Sequence, residues 1–269
     1  MSDIASFLRS VTLPVMPEVA QALVRTLGDE QTDVDTVTAI IAKDPGLTAT
    51  LLRMANSAMF GLSRSVNTLG NAVSVVGTAH IRARALAVCL ANTMVFPPNM
   101  NRLEFWRHSM VCAGYCRWLA ANAGQDEAQA WLTGMMLRLG ELIIAQKQPD
   151  AIAHIELQPC APGERWRRER EQTGFDEGQI TAEIARRWDF PETIANALGG
   201  SGHPSPHASS RLASVVHIGA LLADHVGSPT EALDQLPFVL VQVLRLDVEA
   251  LRTHMPAPES FSDISALLG

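Results

Sequence analysis

Apolar residues along this chain recur at three- and four-residue steps almost everywhere, and β-branched runs bounded by turn pairs are scarce, so the pattern predicts an all-α protein. Pro17 marks one helix start, Asp33 stands as N-cap before a helix over 34–43, and Pro45 occupies the first turn of a helix running to about Asn56. Gly61 breaks the chain, Thr68 caps 69–76, and Gly77 separates that segment from an apolar helix over 78–95. The Pro97-Pro98 pair then divides the chain, which predicts an N-terminal helical subdomain over 1–98, a second helical subdomain over 99–227 and a C-terminal helical extension over 228–269. In the second part, residues 103–123 are apolar on nearly all sides. Leu103, Trp106, Met110 and Gly114 follow one stripe and Phe105, His108, Cys112, Cys116 and Leu119 another, which places this helix at the centre of a core. Asp126 caps the next helix, whose stripe is Leu132, Met135, Met136, Leu139, Leu142 and Ile143. The polar stretch 146–163 reads as a long loop with at most short helices. Further helices are predicted over 176–188, 191–198 and 208–226, with short pieces between 230 and 268. Leu236, Phe238, Val239, Leu240 and Val243 are expected to complete the core, the alternative being a partner surface.

Composition narrows the function classes. With 47% hydrophobic residues, 18% charged residues and a mean hydropathy of +0.10, the chain has the makings of a folded core rather than of a disordered segment. A chain of this size buries about 70–75% of its unfolded surface. The net charge of −7 repels polyanions, which argues against nucleic acid and anionic membranes as partners. The longest uncharged apolar stretch, 85–96, is shorter than the ~18–20 residues a membrane helix needs, and the N-terminus lacks a basic-then-apolar signal pattern. Cys89, Cys112, Cys116 and Cys160 form no CxxC pair, so reduced thiols and a cytoplasmic location are expected. Neither GxxxxGK[ST] nor GxGxxG occurs, which removes the familiar phosphate-cradling loops.

One segment is specific. Residues 44–61, DPGLTATLLRMANSAMFG, resemble the DP-x-L-x-x-x-LLR-x-ANS-x-x-FG signature of the HDOD family, with Asp44, Pro45, Leu51, Arg53, Asn56, Ser57 and Gly61 at its marked positions. The resemblance extends to Leu13-Pro14-x-x-Pro17-Glu18, Phe105-Trp106-Arg107-His108-Ser109, Phe175-Asp176 and Arg187-Trp188-x-x-Pro191-Glu192, covering roughly 10–205. It implies a multi-helical HD-like fold and a bacterial signalling or output module, catalytically degenerate beside the HD and HD-GYP metal phosphohydrolases. Those enzymes hold metal ions with imidazoles and carboxylates drawn from several helices, so that a bound water is acidified while coordination positions stay open. His108 matches the first histidine of that pattern, but Leu137 and Arg138 stand where the His-Asp pair would fall. A methyl-tipped side chain cannot ligate, and a guanidinium repels the ion. Glu177 replaces a histidine after Phe175-Asp176, Gly199-Gly200 stands where a histidine pair is common, and Ala220 replaces the last aspartate, with Asp224 one turn later.

The resemblance therefore implies no catalytic residue, no metal and no cofactor, and a regulatory module acting through an unidentified protein partner. Two alternatives stand beside it. One is a divalent-metal phosphohydrolase that recruits His108, Glu177 and Asp224. The other is a binder of a small anion, for instance a nucleotide messenger, with Arg138 as counter-charge beside His108 and Glu177 in the vacated metal pocket. The residues also carry plainer readings. His108 is expected to be a buried, hydrogen-bonded core histidine, and His203, His207 and His217 surface or loop residues. His108, Cys112 and Cys116 share one helical face, but the outer pair is about 12 Å apart at 1.5 Å per residue, too far for one ion, so the cysteines read as small buried hydrophobes. The run Arg165-Trp166-Arg167-Arg168-Glu169-Arg170-Glu171 reads as a solvated helix face, or else as a docking patch anchored by Trp166. Arg82 and Arg84 could favour an anion. Within the signature, Leu47, Leu51 and Met54 are spaced to face the core, and Asn56, Ser57 and Gly61 to end the helix through side-chain bonds and tolerance of positive φ.

Overall fold

The longest helix among the described residues, Arg102–Ala123, runs through the core of the second half of the chain, with its Trp106, Tyr115, Cys116 and Leu119 fully buried. The computed structural model describes residues 4–11, 13–29, 32–57, 65–157, 160–205, 210–225 and 229–267, and helices are the only regular elements among them. In chain order they are α1 (Ile4–Phe7), α2 (Glu18–Arg25), α3 (Val34–Ile41), α4 (Pro45–Ala55), α5 (Leu69–Val76), α6 (Thr78–Thr93) and α7 (Arg102–Ala123), the longest. Then come α8 (Glu127–Met136), α9 (Leu139–Lys147), α10 (Pro149–Ile155), α11 (Glu164–Thr173), α12 (Glu177–Arg187), α13 (Glu192–Ser201) and α14 (Arg211–Asp224). Three short ones, α15 (Pro229–Asp234), α16 (Phe238–Leu244) and α17 (Val248–Thr253), complete the series.

The punctuation residues do what their chemistry dictates. Asp33, Asp44, Thr68 and Asp126 each accept a hydrogen bond from the backbone N–H three residues on, at 2.7, 3.0, 3.2 and 2.8 Å, which satisfies an otherwise orphaned donor of the first turn. Gly77, at φ +99°, turns the chain between α5 and α6, which are bent by 117°. Helices α2 to α5 pack around α6, which in turn packs on α8; α7 lies between α8 and α14, and α12 bridges α9 and α13. No single helix among the described residues is long and apolar enough to cross a membrane.

The signature segment is a structural joint. Leu47, Leu51 and Met54 are buried, and the Asn56 amide clamps Val66 from both sides, donating to its carbonyl and accepting from its N–H, each at 2.8 Å. Ser57 donates to the Met54 carbonyl at 2.7 Å, and Arg53 to Thr50 at 3.1 Å. Asn56 itself keeps φ at −85°, so its contribution is the amide clamp and not a left-handed backbone. Gly61 lies outside the described residues. Among its described residues the stretch 146–163 holds one complete short helix, α10, opened by Pro149 and seated by Ile152 and Ile155. At the C-terminal end Leu240 is in the core, but Phe238 and Val239 remain 70% and 48% exposed. Phe261 closes the other side: its ring occupies the space left by the missing Cβ of Gly114 and meets Tyr115 edge-on at 5.3 Å.

Candidate functional site

Five carboxylates and two guanidiniums converge where α7, α9, α10, α11, α12 and α14 meet. Arg138, at the α8–α9 junction, donates through Nε to Glu141 at 2.8 Å and through Nη2 to Glu156, at the end of α10, at 3.0 Å. Arg165, on α11, grips Glu177 with both Nη atoms, Nη2 to Oε1 at 2.9 Å, and reaches Glu169 one turn on at 3.2 Å. The same guanidinium stands 3.9 Å from Asp224 and 4.0 Å from both Glu141 and Glu156. Glu177 also accepts from the Trp166 indole at 2.9 Å, while its own N–H donates to Glu169 at 2.7 Å. Local sequence makes this possible: Asp176 and Gln179 form a capping box that starts α12 at Glu177, and the i, i+4 spacing of Arg165 and Glu169 puts both on the inner face of α11.

Several expectations are corrected here. The charge run of α11 is not a solvated face: Arg165, Trp166 and Glu169 are buried, whereas Arg167 and Glu171 are exposed. Trp166 cannot anchor a partner, because it stacks on His217 at 4.9 Å inside the molecule. His217, expected at the surface, is held in α14 by that ring and by the Ser201 carbonyl, 2.7 Å from its Nδ1. His203 is exposed and His207 lies outside the described residues. Arg82 is spent on the Thr26 carbonyl at 2.6 Å, and Arg84 is buried with its guanidinium over the Trp131 ring at 3.3 Å. Cys112 and Cys116 are both buried.

Of the positions expected to matter, His108 and Arg138 come together on one cleft, while Glu177 sits behind Arg165 and is fully buried, off the cleft wall. Leu137 is a core residue whose carbonyl accepts from Thr181, and Ala220 is buried in α14. One turn on, Asp224 reaches back to His108, Nε2 to Oδ1 at 2.7 Å. Glu141, Glu156, Arg165 and Glu169 were missed by sequence reasoning. For Arg165 and Glu169 the signal was Trp166, since a tryptophan inside a charge run favours burial and carries its neighbours at i−1 and i+3 toward the core with it.

A divalent ion does not fit this arrangement. The oxygens that would ligate it are shared by two guanidiniums, and among the described residues no group of three His, Cys, Asp or Glu side chains could hold a metal ion. An ion among them would sit next to two fixed positive charges in a poorly screened interior.

The electrostatics reflect a shortage of positive charge. Five carboxylates against two guanidiniums leave an excess of three negative charges when all are ionised. Burial, with Arg138 opposing and Glu156 adding to it, pushes Glu141 up to about 8. Burial and the Glu177 charge likewise hold Glu169 well above the usual carboxylate range. Burial would raise Asp224 too, but Arg165 and the His108 hydrogen bond outweigh it and hold that carboxyl well below its ordinary value. Burial and then Arg138 lower His108, against the pull of Asp224.

A pH dependence follows. Glu141 binds its proton more tightly folded than unfolded, so its contribution is fully present below the unfolded value of about 4.3 and lost as pH rises through about 8. Urea midpoints are expected to fall between about pH 5 and pH 8 and to level off above that, and Glu141→Gln, which imitates the protonated acid, to flatten the fall. Equal slopes for the two proteins would contradict the assignment.

This helical assembly has the HD-like fold, and the chain belongs to the HDOD domain family, whose model matches residues 13–203. The structure is similar to that of a candidate phosphohydrolase from Shewanella amazonensis SB2B, with a TM-score of 0.77, 24% identity and 98% of each chain covered. It is also similar to a candidate signal-transduction protein from Marinobacter aquaeolei VT8, with a TM-score of 0.73, 20% identity, all of this chain and 60% of that one covered. An uncharacterized protein of Treponema pallidum (strain Nichols) is 23% identical over 248 residues, 90% of this chain and 48% of the relative, so the chain spans about half the length of that relative. At these identities the structural likenesses speak for the fold alone.

Proposed function

We propose that this protein is a non-catalytic, cytoplasmic regulatory module of bacterial signal transduction that acts through contact with a protein partner. The observation that supports the reading is the pair of guanidiniums, Arg138 and Arg165, bonded to the carboxylates around His108, the residue that the resemblance matches to the first histidine of the HD pattern. The fold does not discriminate, since the similar structures include both a candidate phosphohydrolase and a candidate signal-transduction protein. Membership of the HDOD family supports the signalling side. The test is hydrolysis of p-nitrophenyl phosphate and of its bis ester with Mn²⁺, Mg²⁺ or Zn²⁺ added. Wild type and His108→Ala are expected to match the metal blank. Turnover above the blank that His108→Ala abolishes overturns the reading.

A further inference from the structure

A cleft of about 670 Å³ opens in front of the charge network, walled by the start of α7, the start of α9 and α10. Two buried polar atoms of its lining residues have no donor when Glu141 is ionised: Oε1 of Glu141, whose fully buried carboxyl shares a hydrogen bond with Glu156 only while one of the two holds a proton, and Nδ1 of His108. Both are acceptors when Glu141 is ionised. An ionised Asp224 can only accept, so its contact with His108 places the imidazole proton on Nε2 and leaves a lone pair on Nδ1. Buried acceptors without donors are costly, and a ligand that supplies the donors recovers that cost.

Charge points the same way. Glu104, Glu141 and Glu156 line the cleft against a single guanidinium, Arg138, which is already shared by Glu141 and Glu156. Behind them the network carries its excess of negative charge. The walls beside these groups are apolar, with Phe105 and Ile152 buried and Leu157 60% exposed. We infer that the cleft binds a small organic cation, an alkylammonium or alkylguanidinium, with its charged head donating to Glu141 and Glu156 and its apolar stem lying along Ile152 and Leu157. A free phosphate or nucleotide is disfavoured there, because the one cation of the lining is engaged and three carboxylates face the entering charge. This goes beyond the non-catalytic reading, and its readout is binding rather than turnover, so either can fail without the other.

The test is isothermal titration calorimetry of the full chain at about pH 8.5, where Glu141 is ionised, with agmatine, n-butylammonium and inorganic phosphate as separate probes. Agmatine or butylammonium is expected to saturate with Kd below about 1 mM, Glu141→Gln to weaken it about tenfold, and phosphate to give no saturable heat. Glu104→Gln, at an exposed position, is expected to weaken binding about two- to threefold at low salt and less at high salt. Should Glu141→Gln fail to fold, Glu156→Gln, whose side chain is 40% exposed, takes its place. No saturable heat from either cation, unchanged affinity in the variants, or saturable phosphate binding overturns the inference.

Discussion

Arg165→Ala is expected to cost about 3–5 kcal/mol of folding stability, the price of leaving buried charges without their partner. The guanidinium is 5% exposed and grips Glu177 and Glu169, both fully buried, with Asp224 at 3.9 Å. Removing it leaves three carboxylates in the interior with Arg138 as the only nearby guanidinium of the network, and Arg138 is directed at Glu141 and Glu156. The loss reflects stranding and not the net worth of the pairs, since an apolar replacement of the entire network could be as stable. Arg165→Lys is expected to recover only part of it, because an ammonium cannot reproduce the two-pronged grip on Glu177. Acid should shrink the defect as the stranded carboxylates take up protons. Urea unfolding at neutral and acid pH checks both statements, with Arg167→Ala as the control: that side chain is 55% exposed, and its midpoint should not move. A loss under about 1 kcal/mol for Arg165→Ala would remove the network from the centre of the fold's electrostatics.

That network shows where the sequence could be read and where it could not. Helix starts were legible because capping is local: Asp33, Asp44, Thr68 and Asp126 each need only a backbone N–H three residues away. The helical fold class was legible for the same reason, as apolar spacing is written along each segment. The signature predicted the family, and its Asn56 also bonds backbone, but to Val66, ten residues on, which spacing cannot reveal. At the site, His108 and Arg138 were named from their positions in a pattern, yet their partners Asp224 and Glu156 lie 116 and 18 residues away. Pairings of that kind are set by how α7, α10 and α14 are stacked. The α11 run misled because alternating charges are solvated on an isolated helix. Here α11 packs on α10, and its inner face carries Arg165 and Glu169 into bonds with Glu177 at the start of α12.

Gly140→Ala is expected to destabilise the protein by about 3 kcal/mol, the upper part of the usual range for overpacking, because the obstruction is backbone and cannot rotate away. A Cβ on Gly140 would stand 2.2 Å from the carbonyl oxygen of Glu177 and 2.9 Å from its carbonyl carbon and Cα. Here α9 and α12 are also tied together: the Gly140 N–H donates to Thr181 at 2.7 Å, and Thr181 in turn donates to the Leu137 carbonyl at 2.8 Å. Room for a methyl group requires the first turn of α12 to move outward, and that turn carries Glu177. The displacement therefore stretches the bonds from Arg165 and from the Trp166 indole, so a steric change on one helix weakens the charge network on two others. Gly70→Ala, where an added Cβ meets nothing within 4 Å, serves as the matched control and should be neutral or slightly stabilising. Urea midpoints followed by tryptophan fluorescence read both effects. A Gly140→Ala protein with wild-type stability would mean that α9 and α12 can separate freely, and the seating of Glu177 against Arg165 would then have to come from α11 alone.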